Sequence, residues 1–240
     1  NLRWFPFAKG GEYSEFVSNI HLVVDWENGG KRIKERKKSE LELGRITANN
    51  SQCWNETKYL RKGITWTQRT TSKFSARILP EKCIFGIKGP SAFSLKDSNE
   101  ELLALLGIFE TPLYKELLEF QVAAADAAAK SYDAGLIRRT PFPELHDNNI
   151  SELALLSRFL VEQGISFQSV DELSSYFVTV SPQSPTTISF EKNCLSSKVS
   201  QLFQIESTEG GHASVREQPT QAENSAPPQE EHASWISYYL

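Results

Sequence analysis

The sequence predicts an α+β fold. A mixed or antiparallel sheet is drawn from residues 1–90, packed by helices between 98 and 125 and closed by a strand near 132–138, with a C-terminal helical appendage and a disordered linker behind it. Three observations carry this. Short β-branched and aromatic runs, punctuated by Gly, Asn and Pro, fill the first 90 residues. Leucines at helical spacing take over from Ser98. Ser207 to Ala233 is rich in Glu, Gln, Ser, Pro, Gly and Ala without one aromatic residue, a composition too poor in apolar surface to order itself.

Taken in order, Arg3 to Tyr13 is aromatic, then basic, then flexible. Lys9 stands beside Gly10-Gly11, where backbone N–H groups and a cation can cradle a phosphate. His21 to Trp26 reads as a strand ended by Asn28-Gly29-Gly30. Lys31 to Leu43 has helical propensity. Its cations Lys31, Arg32, Lys34, Arg36, Lys37 and Lys38 form either a solvated helix face or a surface drawn to DNA backbone.

Gly63 to Trp66 is strand-like. The block that follows sets Arg69, Lys73 and Arg77 among the hydroxyls of Thr65, Thr67, Thr71, Ser72 and Ser75. Cations and hydroxyls are the side chains that hold phosphates and touch base edges. Ala76 to Ile87 reads as a hairpin around Pro80-Glu81-Lys82. Trp66 and Phe74 are either rigid supports for the block or plain core aromatics.

Ser98 with Glu101 has the form of a capping box, and Leu102, Leu103, Leu105, Leu106 and Phe109 follow at helical spacing, with Gly107 the expected terminator. A second helix opens at Thr111-Pro112 and buries Leu113, Leu117, Leu118 and Val122. Ala123 to Lys130 scores as helix. Arg138 and Arg139, in the expected closing strand, serve either a DNA contact or an ion pair. Helices are further expected over 149–163, 170–177 and 191–204.

Charge divides the chain. Residues 1–96 balance at +9 and residues 97–240 at −13, within a net charge of −4. That asymmetry points to an anionic partner for the first part. Cys53, Cys83 and Cys194 are an odd, scattered set, giving neither a disulfide framework nor a zinc site, and a reduced, cytoplasmic residence is expected. No apolar run has the length of a membrane span, and neither a spanning helix nor a signal peptide is expected. The chain contains no methionine and is read as an internal piece of a longer protein.

Gly63-Ile64-Thr65-Trp66, Lys73-Phe74-Ser75-Ala76-Arg77, Ile84-Phe85 and Lys88-Gly89 together resemble the target-recognition region of the PglX family. These are the large adenine-specific DNA methyltransferases of bacterial BREX phage-defence systems. Lys9-Gly10-Gly11-Glu12 and Val24-Asp25-Trp26-Glu27-Asn28 fit the family's lead-in, and Gly86 departs from it, standing where an acidic residue is usual. The resemblance covers residues 3–143. It implies sequence-specific recognition of double-stranded DNA for an N6-adenine methyltransferase that uses S-adenosylmethionine. It further implies an upstream methyltransferase domain in the same chain and other phage-defence subunits as partners.

The segment itself lacks the Asx-Pro-Pro-aromatic loop that holds a flipped adenine, a glycine-rich cofactor turn and any P-loop. Neither catalysis nor a cofactor of its own is therefore expected. The division expected is a recognition domain over 1–144, a helical appendage over 145–205, a linker over 206–234 and the start of a further domain at 235–240. Phosphate contacts fall to Lys9, Lys62 and Lys73, and base-edge contacts to Arg69, Thr71 and Arg77, with Thr65, Trp66 and Ser72 completing the interface. The alternative is a protein-interaction module of a multi-subunit defence complex, which the acidic second half favours.

Overall fold

A computed structural model describes residues 2–122, 129–177, 185–203 and 236–239. The fold is α+β, as the sequence predicts, with two small sheets and a two-stranded ribbon. β1 (Trp4–Ala8) lies between β2 (Val23–Asp25), antiparallel to it, and β6 (Ile84–Phe85), parallel to it. The second sheet has the order β5 (Ala76–Leu79), β3 (Gly63–Trp66), β7 (Ser91–Ser94), β9 (Ile236–Tyr239), with every pair antiparallel. The ribbon pairs β4 (Arg69–Thr70) with β8 (Lys130–Ser131).

β3 and β7 are buried on both faces, so all four residues of each are out of water. Alternation sends Ile64, Trp66, Ala76 and Ala92 toward the helices. Leu79 and Phe93 point the other way, into a smaller core with Ala8, Cys83 and Phe85 from the β1 sheet. Burial pushes the Cys83 thiol up to about 11, as befits a packing residue.

The expected hairpin over 76–87 is replaced by a crossing between sheets. β5 pairs back with β3, its partner across residues 67–75. Leu60 and Lys82 then tie the two chain segments together, Leu60 N–H to Cys83 O and Lys82 N–H to Leu60 O, both at 3.0 Å. This hands Ile84-Phe85 to β1.

α1 (Glu27–Glu42) covers the predicted basic helix, but its first turn is irregular. Asn28, Gly29 and Gly30 all have positive φ. At Gly30 a Cβ would stand 2.5 Å from the Trp26 ring, so glycine is required there for shape as well as backbone. A short helix, α2 (Ala48–Ser51), and a 3-10 turn at Glu56–Lys58 follow.

α3 (Asn99–Glu110) is the central helix, buried from Glu101 to Glu110. Ser98 caps it, accepting from Glu101 N–H at 3.3 Å, while the Glu101 carboxylate turns to the Ser94 hydroxyl. Ser94 Oγ in turn accepts the Ser98 N–H, which a capping box would give to the glutamate. The helix runs through Gly107. A Cβ there would stand 2.3 Å from Ser157 Oγ, so this glycine marks a close crossing of α6 (Asp147–Gln168). α4 (Pro112–Gln121) starts at proline as predicted, and Thr111 ends one helix and caps the next. Its buried residues are Tyr114, Lys115 and Leu118.

The expected strand over 132–138 is instead a helix, α5 (Ala134–Arg139), because Asp133 caps it by accepting Leu136 N–H at 2.8 Å. α6 packs along α3, and α7 (Pro185–Leu202) along α6, adding Leu153, Leu160, Leu195 and Val199 to the main core. Between them the expected helix at 170–177 gives way to turns. Asp171 accepts Leu173 N–H at 2.9 Å, and Asn19 holds Leu173 O and Ser175 N–H at 3.1 Å each. The 206–234 linker and most of 123–130 lie outside the described residues. Among the described residues no helix is long and apolar enough to cross a membrane.

Candidate nucleic-acid interface

Two loops meet back to back at one end of β3. Gly10 has φ +90, and a Cβ on it would stand 2.6 Å from Lys88 O. A Cβ on Gly89 would stand 2.9 Å from both Ala8 O and Gly10 N. Backbone therefore packs directly on backbone, which only glycine allows at both places.

Behind the loops the strand side chains act as struts. Thr65 Oγ1 donates to Pro90 O at 3.0 Å. Thr67 Oγ1 donates to Gly11 O at 2.9 Å and accepts from Arg77 Nη2 at 2.8 Å. Arg77 Nη1 reaches Glu12 O at 3.4 Å. Burial brings the Arg77 guanidinium down to about 10, which leaves it charged at neutral pH.

In front of the loops lies an open cleft of about 760 Å³. Gly11, Tyr13, Arg69, Thr71, Ser72 and Lys88 all line it. The β4–β8 ribbon carries Arg69 across from Ser131 and so fixes one wall. The structure thus sorts the residues singled out above. Arg69, Thr71 and Lys73 are exposed, Ser72 is half-buried, and Lys9 is exposed beside Gly10. Thr65, Trp66 and Arg77 are buried at 2% exposure or less and face inward.

Trp66 stands in an aromatic cluster with Phe74 and Phe109, as a support rather than a contact surface. Lys62 is not brought to the cleft. It precedes β3, at the far end from Trp66, and donates to Asn99 Oδ1.

Glu12, Tyr13, Thr70 and Lys88 also line the cleft, and sequence reasoning did not single them out as contacts. Lys88 sits inside the quoted Lys88-Gly89 and Glu12 inside Lys9-Gly10-Gly11-Glu12, while Tyr13 directly follows the latter, so the glycines of these motifs were the available signal. The cations of α1 are largely engaged. Arg32 pairs with Asp25 at 3.1 Å, Lys31 with Glu35 at 3.8 Å, and Lys37 donates to Gln52 O at 2.7 Å. That is the pattern of a solvated face.

On the other side of Tyr13 a charged network closes the base of the loop. Lys115 Nζ donates to Glu15 Oε1 and Glu110 Oε2, both at 2.8 Å, and to Tyr13 Oη at 3.2 Å. Lys192 of α7 holds the second Glu15 oxygen. Burial alone would raise the Glu15 carboxyl, but bonds from Lys115, Lys192 and Tyr13 outweigh it and bring it down to about 2. Glu110, fully enclosed, is instead pushed up to about 7 by burial despite Lys115. One Glu110 oxygen also accepts the Ala76 N–H, next to Arg77.

The chain is similar to two curated proteins. It is 29% identical over 150 residues to the adenine-specific methyltransferase PglX of Lacticaseibacillus casei (strain Zhang), across 62% of this chain and 12% of that protein. It is 26% identical over 154 residues to the adenine-specific methyltransferase BrxX of Escherichia coli O9:H4 (strain HS), across 64% of this chain and 11% of that protein. The matched stretch spans only those 11–12% shares of its relatives' length. No family model matches the chain. The resemblance to a PglX-family region, read from the motifs above, is borne out by both relatives.

Proposed function

We propose that this chain, as a region similar to PglX-family adenine-specific methyltransferases, recognises double-stranded DNA on behalf of a methyltransferase domain elsewhere in the same polypeptide. The observation that carries the reading is the cleft, where Arg69, Thr71, Ser72 and Lys88 converge on the Gly10-Gly11 loop.

In this reading Lys9, Lys73 and Lys88 neutralise phosphates, which positions the duplex without reading it. Arg69 and Thr71 reach base edges, where a guanidinium pairs with guanine through two hydrogen bonds. Thr65, Trp66 and Arg77 act from behind by fixing the loops.

The strand–glycine–helix turn at β2 and α1 does not fit S-adenosylmethionine, because the Trp26 ring fills the space over Gly30. The methyl donor is assigned to the remainder of the parent enzyme, with its chemistry, and the parent to bacterial phage defence. A role in the cytoplasm follows from the same reading.

The test is a fluorescence anisotropy titration with random-sequence duplex over a salt series, comparing the chain with an Arg69/Lys73/Lys88→Ala variant. Affinity falling steeply with salt, and a flatter slope in the variant, supports the reading. Absence of duplex affinity at low salt turns it toward a protein-interaction module, which the exposed Leu173 and Phe190 would favour.

A further inference from the structure

The cleft has one acidic side chain among its described lining residues. That is Glu12, which lines it together with Arg69 and Lys88. Resting on the recognition reading above, we propose that Glu12 determines specificity by reading a cytosine, its carboxylate accepting a hydrogen bond from the 4-amino group in the major groove.

The loop holds Glu12 in place and leaves its side chain unengaged. Thr67 Oγ1 donates to Gly11 O at 2.9 Å, and Arg77 Nη1 donates to Glu12 O at 3.4 Å. Just beyond, Ser14 N–H donates to Ser75 Oγ at 3.3 Å. The backbone is thus pinned on both sides of Glu12, yet the residue itself is exposed. Its carboxylate takes part in no ion pair or hydrogen bond among the described residues. The nearby Glu15, by contrast, is taken up by Lys115, Lys192 and Tyr13.

Charge and geometry select the atom that Glu12 meets. Phosphates repel a carboxylate, so Glu12 adds nothing to the backbone attraction that the cations supply. What a carboxylate can take from a duplex is an amino hydrogen, and the major groove offers these on cytosine N4 and adenine N6. Adenine sets its N7 acceptor beside the amino group, where it would meet the second carboxylate oxygen lone pair against lone pair. Cytosine presents a C–H there instead, so the carboxylate favours cytosine. Arg69 lines the same cleft and is assigned to guanine above, so the two side chains together match the edges of a C·G pair.

The experiment selects duplexes from a pool with a randomised core, in parallel on the chain, on Glu12→Ala and on Glu12→Gln, and sequences the bound fraction. The chain is expected to enrich a core with one fixed cytosine, favoured about tenfold over the other bases. Glu12→Ala loses that one preference and binds random-sequence duplex roughly threefold more tightly, because a charge that repels phosphate is gone. Glu12→Gln moves the position toward adenine, whose N6 and N7 an amide matches. The atom itself is checked by placing 2-pyrimidinone, which lacks the 4-amino group, at the selected cytosine. In anisotropy titrations this costs the chain about tenfold more affinity than it costs Glu12→Ala.

A cytosine preference that survives Glu12→Ala overturns the proposal, as does a selected core in which no position depends on Glu12. An equal response of the chain and Glu12→Ala to loss of the amino group overturns it too. In each of these cases affinity for duplex remains, and this inference fails alone. Binding of no duplex at all defeats the recognition reading along with it.

Discussion

The Trp66 indole N–H donates to the Tyr132 carbonyl at 2.8 Å, and both residues are wholly buried. This one bond joins β3 to the segment that leaves β8, 66 residues later. It fixes the floor of the ribbon that carries Arg69. Trp66→Phe removes the donor and strands a buried carbonyl, which costs about 1–3 kcal/mol. Urea unfolding checks this: the midpoint should fall with the slope unchanged.

Gly107→Ala is expected to destabilise despite alanine's higher helix propensity. The new methyl meets Ser157 Oγ at 2.3 Å, and overpacking of this kind costs about 1–3 kcal/mol, more than the ~1 kcal/mol gained from propensity. Ser157→Ala in the same chain removes the nearest atom and should restore most of the loss. A double-mutant cycle by thermal unfolding reads the coupling.

Lys88→Ala and Arg77→Ala should fail in different ways. Lys88 lies at the cleft, so its loss reduces the slope of log affinity against log salt by about 0.9, with unfolding unaffected. Arg77 is buried and bonded to Thr67 and Glu12, so its loss costs about 1.5–3 kcal/mol of stability. Parallel binding and melting curves on the two variants separate contact from strut.

Glu15 gives a pH signature. Its carboxyl lies near 2 in the folded chain, below the ordinary value of about 4.3. A depressed carboxylate adds stability above its unfolded pKa and loses it as pH falls toward the folded value. The melting temperature should therefore drop more steeply below about pH 4.5 in the native chain than in Glu15→Gln. Parallel melts from pH 6 to pH 3 check this.

How far the sequence carried is best seen in particular residues. Ser98 and Thr111-Pro112 announced their helices because capping is local chemistry, settled within four residues. Asp133 is the same kind of signal, but the neighbouring Leu136-Ile137 pattern competes with it and reads equally well as strand. Gly107 misleads because a glycine that ends a helix and one that admits a neighbouring helix look alike until Ser157 is in place. The supposed hairpin at 80–82 fails for a related reason, since only Leu60 and β1 decide where β6 pairs. At the cleft, residue type does not tell which way a side chain faces. Arg69 and Arg77 are eight residues apart with the same chemistry, yet one opens on the cleft and the other is sealed behind it. Strand register and the β4–β8 ribbon make that difference, and both depend on distant partners.

The sheet order also sets a timetable. Ser91 in β7 pairs with Tyr239 in β9, 148 residues later. At roughly 5–20 residues per second, a ribosome needs on the order of 7–30 s to deliver that partner. Throughout this interval β7 offers an unpaired row of amide and carbonyl groups to whatever strand is near, including those of sibling chains on the same messenger. Exposure to mispairing is greatest during synthesis and ends only when β9 arrives.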